Sequence, residues 1–173
     1  VGATKDETNN KHFGYIFGAS SYSSNSSYVP TSLKTVVITG GDSIGSSAFQ
    51  DCSSLTSIAF GENSQLTSIG RSAFYNCSSL EAVYITDIAA WCEILFSDYS
   101  SNPVCYAGAL YLDSELVTEL VIPDSVSSIE NYAFSGCSSL TNLMIPDSVT
   151  NIGDSAFEDC SGLTGIAIPD SVT

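Results

Sequence analysis

Residues Ser138 to Thr173, SSLTNLMIPDSVTNIGDSAFEDCSGLTGIAIPDSVT, complete one phrase and begin it again, with Leu140 and Leu163 standing 23 residues apart. The phrase recurs upstream as VTELVIPDSVSSIENYAFSGCS from Val117, where Val117 takes the leucine position, and in older copies from Ser32 and Ser54. A period of roughly 20–30 residues built on Leu-x-x-Ile-x-Ile gives units that cannot bury their apolar edges alone, so each must stack on its neighbours. The expected fold is an α/β-type repeat solenoid. It combines a parallel concave β-sheet, short helical or irregular convex segments, one degenerate inserted repeat and an N-terminal cap.

Alternation within each Leu-x-x-Ile-x-Ile run predicts a short strand with a defined inward set. That set is Leu33, Val36, Ile38; Leu55, Ile58, Phe60; Leu80, Val83, Ile85; Val117, Leu120, Ile122; Leu140, Leu143, Ile145; and Leu163, Ile166, Ile168. Pro-Asp-Ser, from Pro123, Pro146 and Pro169, then turns the chain, and Asp124, Asp147 and Asp170 are expected to bond the turn backbone. A column with one carboxylate per coil does not converge on a point as calcium requires, so no metal is expected. On the return leg Val126, Ile129, Val149 and Ile152 face inward, and a Ser or Asp caps a short helical turn holding Ala48-Phe49, Ala73-Phe74, Ala133-Phe134 or Ala156-Phe157. These phenylalanines are expected to stack as a ladder. Cys52, Cys77, Cys137 and Cys160 each follow a repeat phenylalanine by three residues, which makes them buried free thiols, because parallel stacked side chains hold their β-carbons too far apart for a relaxed bridge.

Leu80 and Val117 are 37 residues apart, so the array is interrupted over about 86–116. Asp87 there caps a helix carrying Ile88, Trp91 and Leu95 on one face; Ser97 to Pro103 forms a turn-rich loop; Leu110 to Leu116 reads as a hairpin about Asp113-Ser114. Residues 1–30 are expected to cap the stack, with a frayed polar start, a strand at HFGYIF and a tyrosine-dotted stretch of low complexity; 31–173 form the repeat domain. The chain begins at Val1 without a leader pattern and stops within a unit at Thr173, so the array is expected to continue and any export signal to lie outside it.

LTNLMIPDSVTNIGDSAFEDCS resembles the consensus of the BspA-like, treponemal-type leucine-rich repeats. Four AlaPhe-x-x-Cys units match it, and the resemblance covers Thr31 to Thr173. It implies a leucine-rich repeat fold and a place among large exported or surface proteins of anaerobic bacteria and mucosal parasites. An adhesive role toward host matrix or neighbouring-cell proteins follows from the same resemblance, and no catalytic residues come with it.

Charge and residue inventory exclude several function classes. With 19 acidic residues against Lys5, Lys11, Lys34 and Arg71, the formal net charge is −15, the opposite of what releases counterions from nucleic acid. Ile88 to Phe96, the longest nearly apolar run, is about half a membrane span and contains Glu93. The single histidine, His12, lies in the polar start, so neither a hydrolytic triad nor a histidine metal site has its imidazole. Gly40-Gly41 lacks the further glycines and the lysine of a phosphate cradle. The chain is therefore expected to be neither an enzyme nor a cofactor protein.

The outward strand positions form two columns. Thr35, Ser57, Ala82, Glu119, Asn142 and Gly165 make the first, and Val37, Ala59, Tyr84, Val121, Met144 and Ala167 the second, which is apolar throughout. Solvent-facing sheet positions are normally polar, and contiguous exposed apolar surface marks interaction sites. Val37, Ala59, Tyr84, Glu119, Val121, Asn142 and Met144 are the candidate contact residues for a protein partner, with a glycan as the second ligand class. The alternative is a passive spacer, in which the small residues merely suit a curved sheet.

Overall fold

The computed structural model describes residues 13–62 and 64–173. The polar start and His12 lie outside them. The chain opens with 3-10 turns at Phe13–Phe17 and Tyr22–Ser24 and a single helical turn α1 (Asn25–Tyr28), where a strand had been expected at the first of these. An extended chain would hold Phe13 and Phe17 roughly 13 Å apart. Coiling brings their rings to 5.5 Å edge to face and sets Phe13 on Phe49 at 5.0 Å. Buried Asn25 fastens the segment, accepting from Gly14 N at 2.9 Å and donating to Gln50 O at 2.7 Å.

Each coil then contributes a longer strand and a two-residue strand. The first three coils give β1 (Thr35–Ile38), β2 (Ser43–Ile44), β3 (Ser57–Phe60), β4 (Ser68–Ile69) and β5 (Ala82–Ile85). The 86–116 segment adds α2 (Ile88–Cys92), β6 (Leu95–Phe96), a 3-10 turn at Tyr99–Ser101, α3 (Val104–Ala107), β7 (Leu110–Leu112) and β8 (Glu115–Leu116). The last units supply β9 (Glu119–Val121), β10 (Ser128–Ile129), β11 (Asn142–Met144) and β12 (Asn151–Ile152). The long strands make a five-stranded sheet, β1-β3-β5-β7-β8, and a two-stranded one, β9-β11; the short strands make β2-β4-β6 and β10-β12. All pairings are parallel except β7 with β8, an antiparallel hairpin whose turn residues Asp113 and Ser114 adopt φ of 49° and 73°.

The inward residues form one continuous core between the sheets. Leu55, Ile58, Val83, Leu120 and Leu140 are sealed from water, whereas Leu33 just before the first strand and Val36 and Ile38 on it are half-buried. Ile166 and Ile168, expected inward, are exposed by 48% and 50%, and their run forms no ladder. Gly165 stands there in place of Glu119 and Asn142, and glycine weakens a strand by its backbone freedom and missing side chain.

The AlaPhe segment is a turn rather than the expected helical turn. Left-handed residues flank it at φ 54–62°: Ser47 and Asp51, Ser72 and Asn76, Ser155 and Asp159, with Tyr132 and Gly136 (φ 77°) in the remaining unit. Its N–H groups alternate in direction. Those of Ala48, Gln50 and Cys52 close i−3 turns inside the coil, while those of Ser47, Phe49 and Asp51 cross to Arg71, Ala73 and Tyr75 of the next. Every donor thus has an acceptor without a helix, and the rings stack: Phe49 on Phe74 at 5.1 Å and 3°, Phe134 on Phe157 at 5.5 Å and 5°. The Pro-Asp-Ser turns are likewise closed by backbone, Val126 N to Pro123 O and Val149 N to Pro146 O, and not by the aspartates, which lie exposed.

The abundant hydroxyls also bridge coils. Thr56, Thr141, Thr67 and Thr150 donate from Oγ1 to Lys34, Thr118, Asp42 and Ser127 carbonyls at 3.0–3.3 Å. Of the helix expected in 86–116, Ile88 and Trp91 are buried on α2, and Asp87 accepts from Ala89 N at 2.7 Å and Ala90 N at 3.1 Å. Leu95 is not on it: it lies in β6 and is 56% exposed, because the helix stops at Cys92 and the chain must rejoin the short-strand sheet beside Ile69.

Candidate binding surface on the concave sheet

Parallel register places one outward residue of each coil beside the next. Val37 pairs with Ala59, Ala59 with Tyr84, and Tyr84 with Tyr111; the hairpin then sets Leu116 opposite Tyr111. These five form an unbroken apolar and aromatic row across the five-stranded sheet. Val37 and Leu116 are exposed by 57% and 44%, and Ala59, Tyr84 and Tyr111 are half-buried. The tyrosine rings lie 4.8 Å apart at 31°, a tilted aromatic pair. On the two-stranded sheet Val121 pairs with Met144, at 58% and 59% exposure, and Glu119 pairs with exposed Asn142.

Of the residues read from sequence, Val37, Ala59 and Tyr84 share one sheet, while Glu119, Val121, Asn142 and Met144 share the other. The β7–β8 hairpin stands between the two groups, so the second column is two patches. In the first column Ala82 is buried, and Thr35 and Ser57 join their hydroxyls at 2.8 Å. Sequence reasoning missed Tyr111 and Leu116. The signal was present, since Leu110-Tyr111-Leu112 repeats the in-out-in pattern of Val83-Tyr84-Ile85, but the hairpin reading hid that one arm also joins the parallel sheet.

Reactive chemistry is muted in the core. All six cysteines are free, and Cys52, Cys77, Cys92, Cys137 and Cys160 are buried. Burial pushes the Cys52, Cys92, Cys105 and Cys160 thiols up to about 12 and raises those of Cys77 and Cys137 as well. A thiol that keeps its proton is neither a nucleophile nor a metal ligand. Cys77 and Cys160 instead donate to the carbonyls of Phe49 and Phe134, one coil back, at 3.2 and 3.1 Å. Among the described residues no group of three or more His, Cys, Asp or Glu converges as a metal site, and no helix is long and apolar enough to cross a membrane.

No curated protein matches the chain. Among solved structures it is similar to a leucine rich cell surface protein of Faecalibacterium prausnitzii, 28% identical over 76% of this chain and 38% of that one, with a TM-score of 0.42. A leucine-rich repeat protein of Bacteroides ovatus is 22% identical over 79% of this chain and 37% of that one, TM-score 0.41. The T. pallidum leucine-rich repeat protein is 18% identical over 83% and 81%, TM-score 0.35. The chain spans well under two thirds of the first two. The model of the BspA type leucine rich repeat region matches in six copies over residues 21–103 and 108–173, and the two ranges are separated by the stretch that folds as α3. With the repeat motif, the stacked coils and this match in agreement, the chain belongs to the BspA type leucine rich repeat family.

Proposed function

We propose that this chain is a non-catalytic, adhesion-type binding module working outside the cell or at its surface, and that it recognises a protein partner through its concave sheet, with a glycan as the second ligand class. The observation that carries this reading is the row Val37, Ala59, Tyr84, Tyr111 and Leu116, apolar across five strands on a face where solvent normally selects polar residues. Paired tyrosines suit a contact surface, because they bury much area for little lost rotamer freedom. Membership of the family and the net charge of −15 fit a surface protein and argue against nucleic acid.

The test is a panel of matrix proteins, neighbouring-cell surface proteins and glycans, probed with this chain. For any ligand found, Tyr84→Ala and Tyr111→Ala should each weaken binding by about 1–3 kcal/mol while thermal melts stay within a degree or two. Unchanged affinity in both variants overturns the concave site. The spacer reading has one observation in its favour, the near-identity of the repeated phrases from Val117 onward, which is how a rod is lengthened. Absence of any ligand across the panel would decide for it.

A further inference from the structure

Beyond the C-terminal ends of β3 and β5, off the concave face, lies a pocket of about 190 Å³. Its walls include Phe60, Leu66, Ile85 and Trp91, all buried residues, with Trp91 meeting Phe60 edge to face at 5.4 Å. Its rim includes two carboxylates from successive coils, Glu62 and Asp87, both exposed. Lys34 and Arg71, the cations of the described residues, are absent from the lining: Lys34 Nζ donates to Ser54 O, and Arg71 lies 3.8 Å from Asp98. Ser64, also in the lining, has an Oγ sealed from water with no hydrogen-bond partner.

The volume is below the roughly 300–1,000 Å³ of sites for drug-sized ligands, so the occupant is about one side chain in size. Apolar walls with an acidic rim select a group that is apolar along its stem and cationic at its tip, and aromatic walls add attraction for a cation. An anion would meet two carboxylates, and a plain hydrocarbon would make no use of the charge on Glu62 or on Asp87, whose Oδ1 already caps α2.

We propose that this pocket is a binding site for a primary alkylammonium group, the chemistry of a lysine side chain presented by a basic partner. The stem lies against Phe60, Leu66, Ile85 and Trp91, and the ammonium sits at Glu62 and Asp87. The site is independent of the concave surface, so either can fail without the other.

Trp91 is the single tryptophan of the chain, which makes its emission a direct reporter. The intact chain is titrated with n-hexylammonium, n-hexanol and hexanoate. The expected result is a saturable change in Trp91 emission with n-hexylammonium, reached at a concentration at least about tenfold lower than with n-hexanol, and none with hexanoate. Glu62→Gln and Asp87→Asn should each raise the Kd about threefold, the scale of an exposed ion pair, and added salt should act in the same direction. Asparagine also caps helices well, so Asp87→Asn leaves α2 in place. Ala90→Leu fills the pocket from α2 and should abolish the response while the melt is retained. No saturable change with n-hexylammonium, equal binding of n-hexanol, or Kd values indifferent to both carboxylate variants would each overturn the proposal.

Discussion

The regular coils and the inserted coil solve one problem by different means. In a regular coil the backbone carbonyls of the AlaPhe turn are met by backbone N–H groups of the coil before: Ala73 O accepts from Phe49 N, Ala156 O from Phe134 N. The inserted coil has Ser100-Ser101 where its neighbours have AlaPhe, since Phe74 N donates to Ser100 O. It offers no such backbone row to the coil after it, and side chains supply the donors. Trp91 Nε1 and Asn102 Nδ2 reach Ala133 O at 2.8 and 3.0 Å, Asn102 Nδ2 also reaches Tyr132 O at 2.7 Å, and Cys105 Sγ reaches Ser135 O at 3.2 Å. Repetition lets a stack satisfy its carbonyls without specific side chains; a break in repetition demands three of them, each placed individually. The stack tolerates a foreign coil on that condition.

The largest expected effect tests the regular side of this contrast. Phe74→Ala removes a fully buried ring from the ladder beside Phe49 and should cost about 3–5 kcal/mol in urea unfolding. Phe134→Ala should cost as much beside Phe157. A loss well under this range in either would mean that the rings stack without carrying the coil.

Next comes the inserted side. Asn102→Ala leaves Tyr132 O without its side-chain donor, Ala133 O with Trp91 alone, and Val104 N without the Oδ1 it donates to at 2.9 Å. Each buried group left unpaired costs about 1–3 kcal/mol, so a total near 2–4 kcal/mol is expected. Trp91→Phe removes the Nε1 donor and also part of a buried ring packed between Phe60 and Phe96, so its cost combines a lost hydrogen bond with a cavity. If Asn102→Ala proved neutral, side-chain substitution for the backbone row would be wrong as an account of the junction.

These two sides were not equally legible in the sequence. Strand residues, the phenylalanine ladder and the buried thiols could be read because each is stated several times in one register, so a local pattern and its packing coincide. Asp87 as a helix cap and Asp113-Ser114 as a hairpin turn were legible too, because both are local chemistry. What stayed hidden depends on contacts distant in the chain: Asn102 gives no sign in sequence of being buried, and its partners are 30 and 31 residues away. The short-strand sheets were hidden because two residues carry no period, and the row through Tyr111 because its pairing with Tyr84 crosses the whole insertion.

Gly136 marks the seam between the regions. Its counterparts Asp51, Asn76 and Asp159 carry side chains at the same left-handed position, but at Gly136 an added Cβ would stand 2.5 Å from Cys105 Cα of α3. Gly136→Ala therefore meets both strain at positive φ and the backbone of the inserted coil, and should cost about 1–3 kcal/mol by thermal melt. A neutral result would show that α3 yields freely, which would make the junction softer than its hydrogen bonds imply.

The smallest effect, taken thiol by thiol, asks whether both regions exclude water equally. Cys52 belongs to a regular coil and Cys92 to the inserted one, and burial pushes both thiols from 9.0 up to about 12. A folded-state value raised above the unfolded one favours the fold while the thiol is neutral in both states. That contribution is fully present below pH 9 and declines between about pH 9 and 12, because the unfolded chain gains ionisation there that the folded chain forgoes. At pH 10 the loss is on the order of 1 kcal/mol per thiol. Urea unfolding should accordingly be flat from pH 7 to near 9 and weaken beyond it, and Cys52→Ala and Cys92→Ala should each remove a similar share of the alkaline loss. Tyrosine ionisation is common to all three proteins, so it cancels in the difference. A share carried by Cys52 but not by Cys92 would mean that water reaches the inserted coil, and that its three bridging side chains seal the junction less well than a backbone row does.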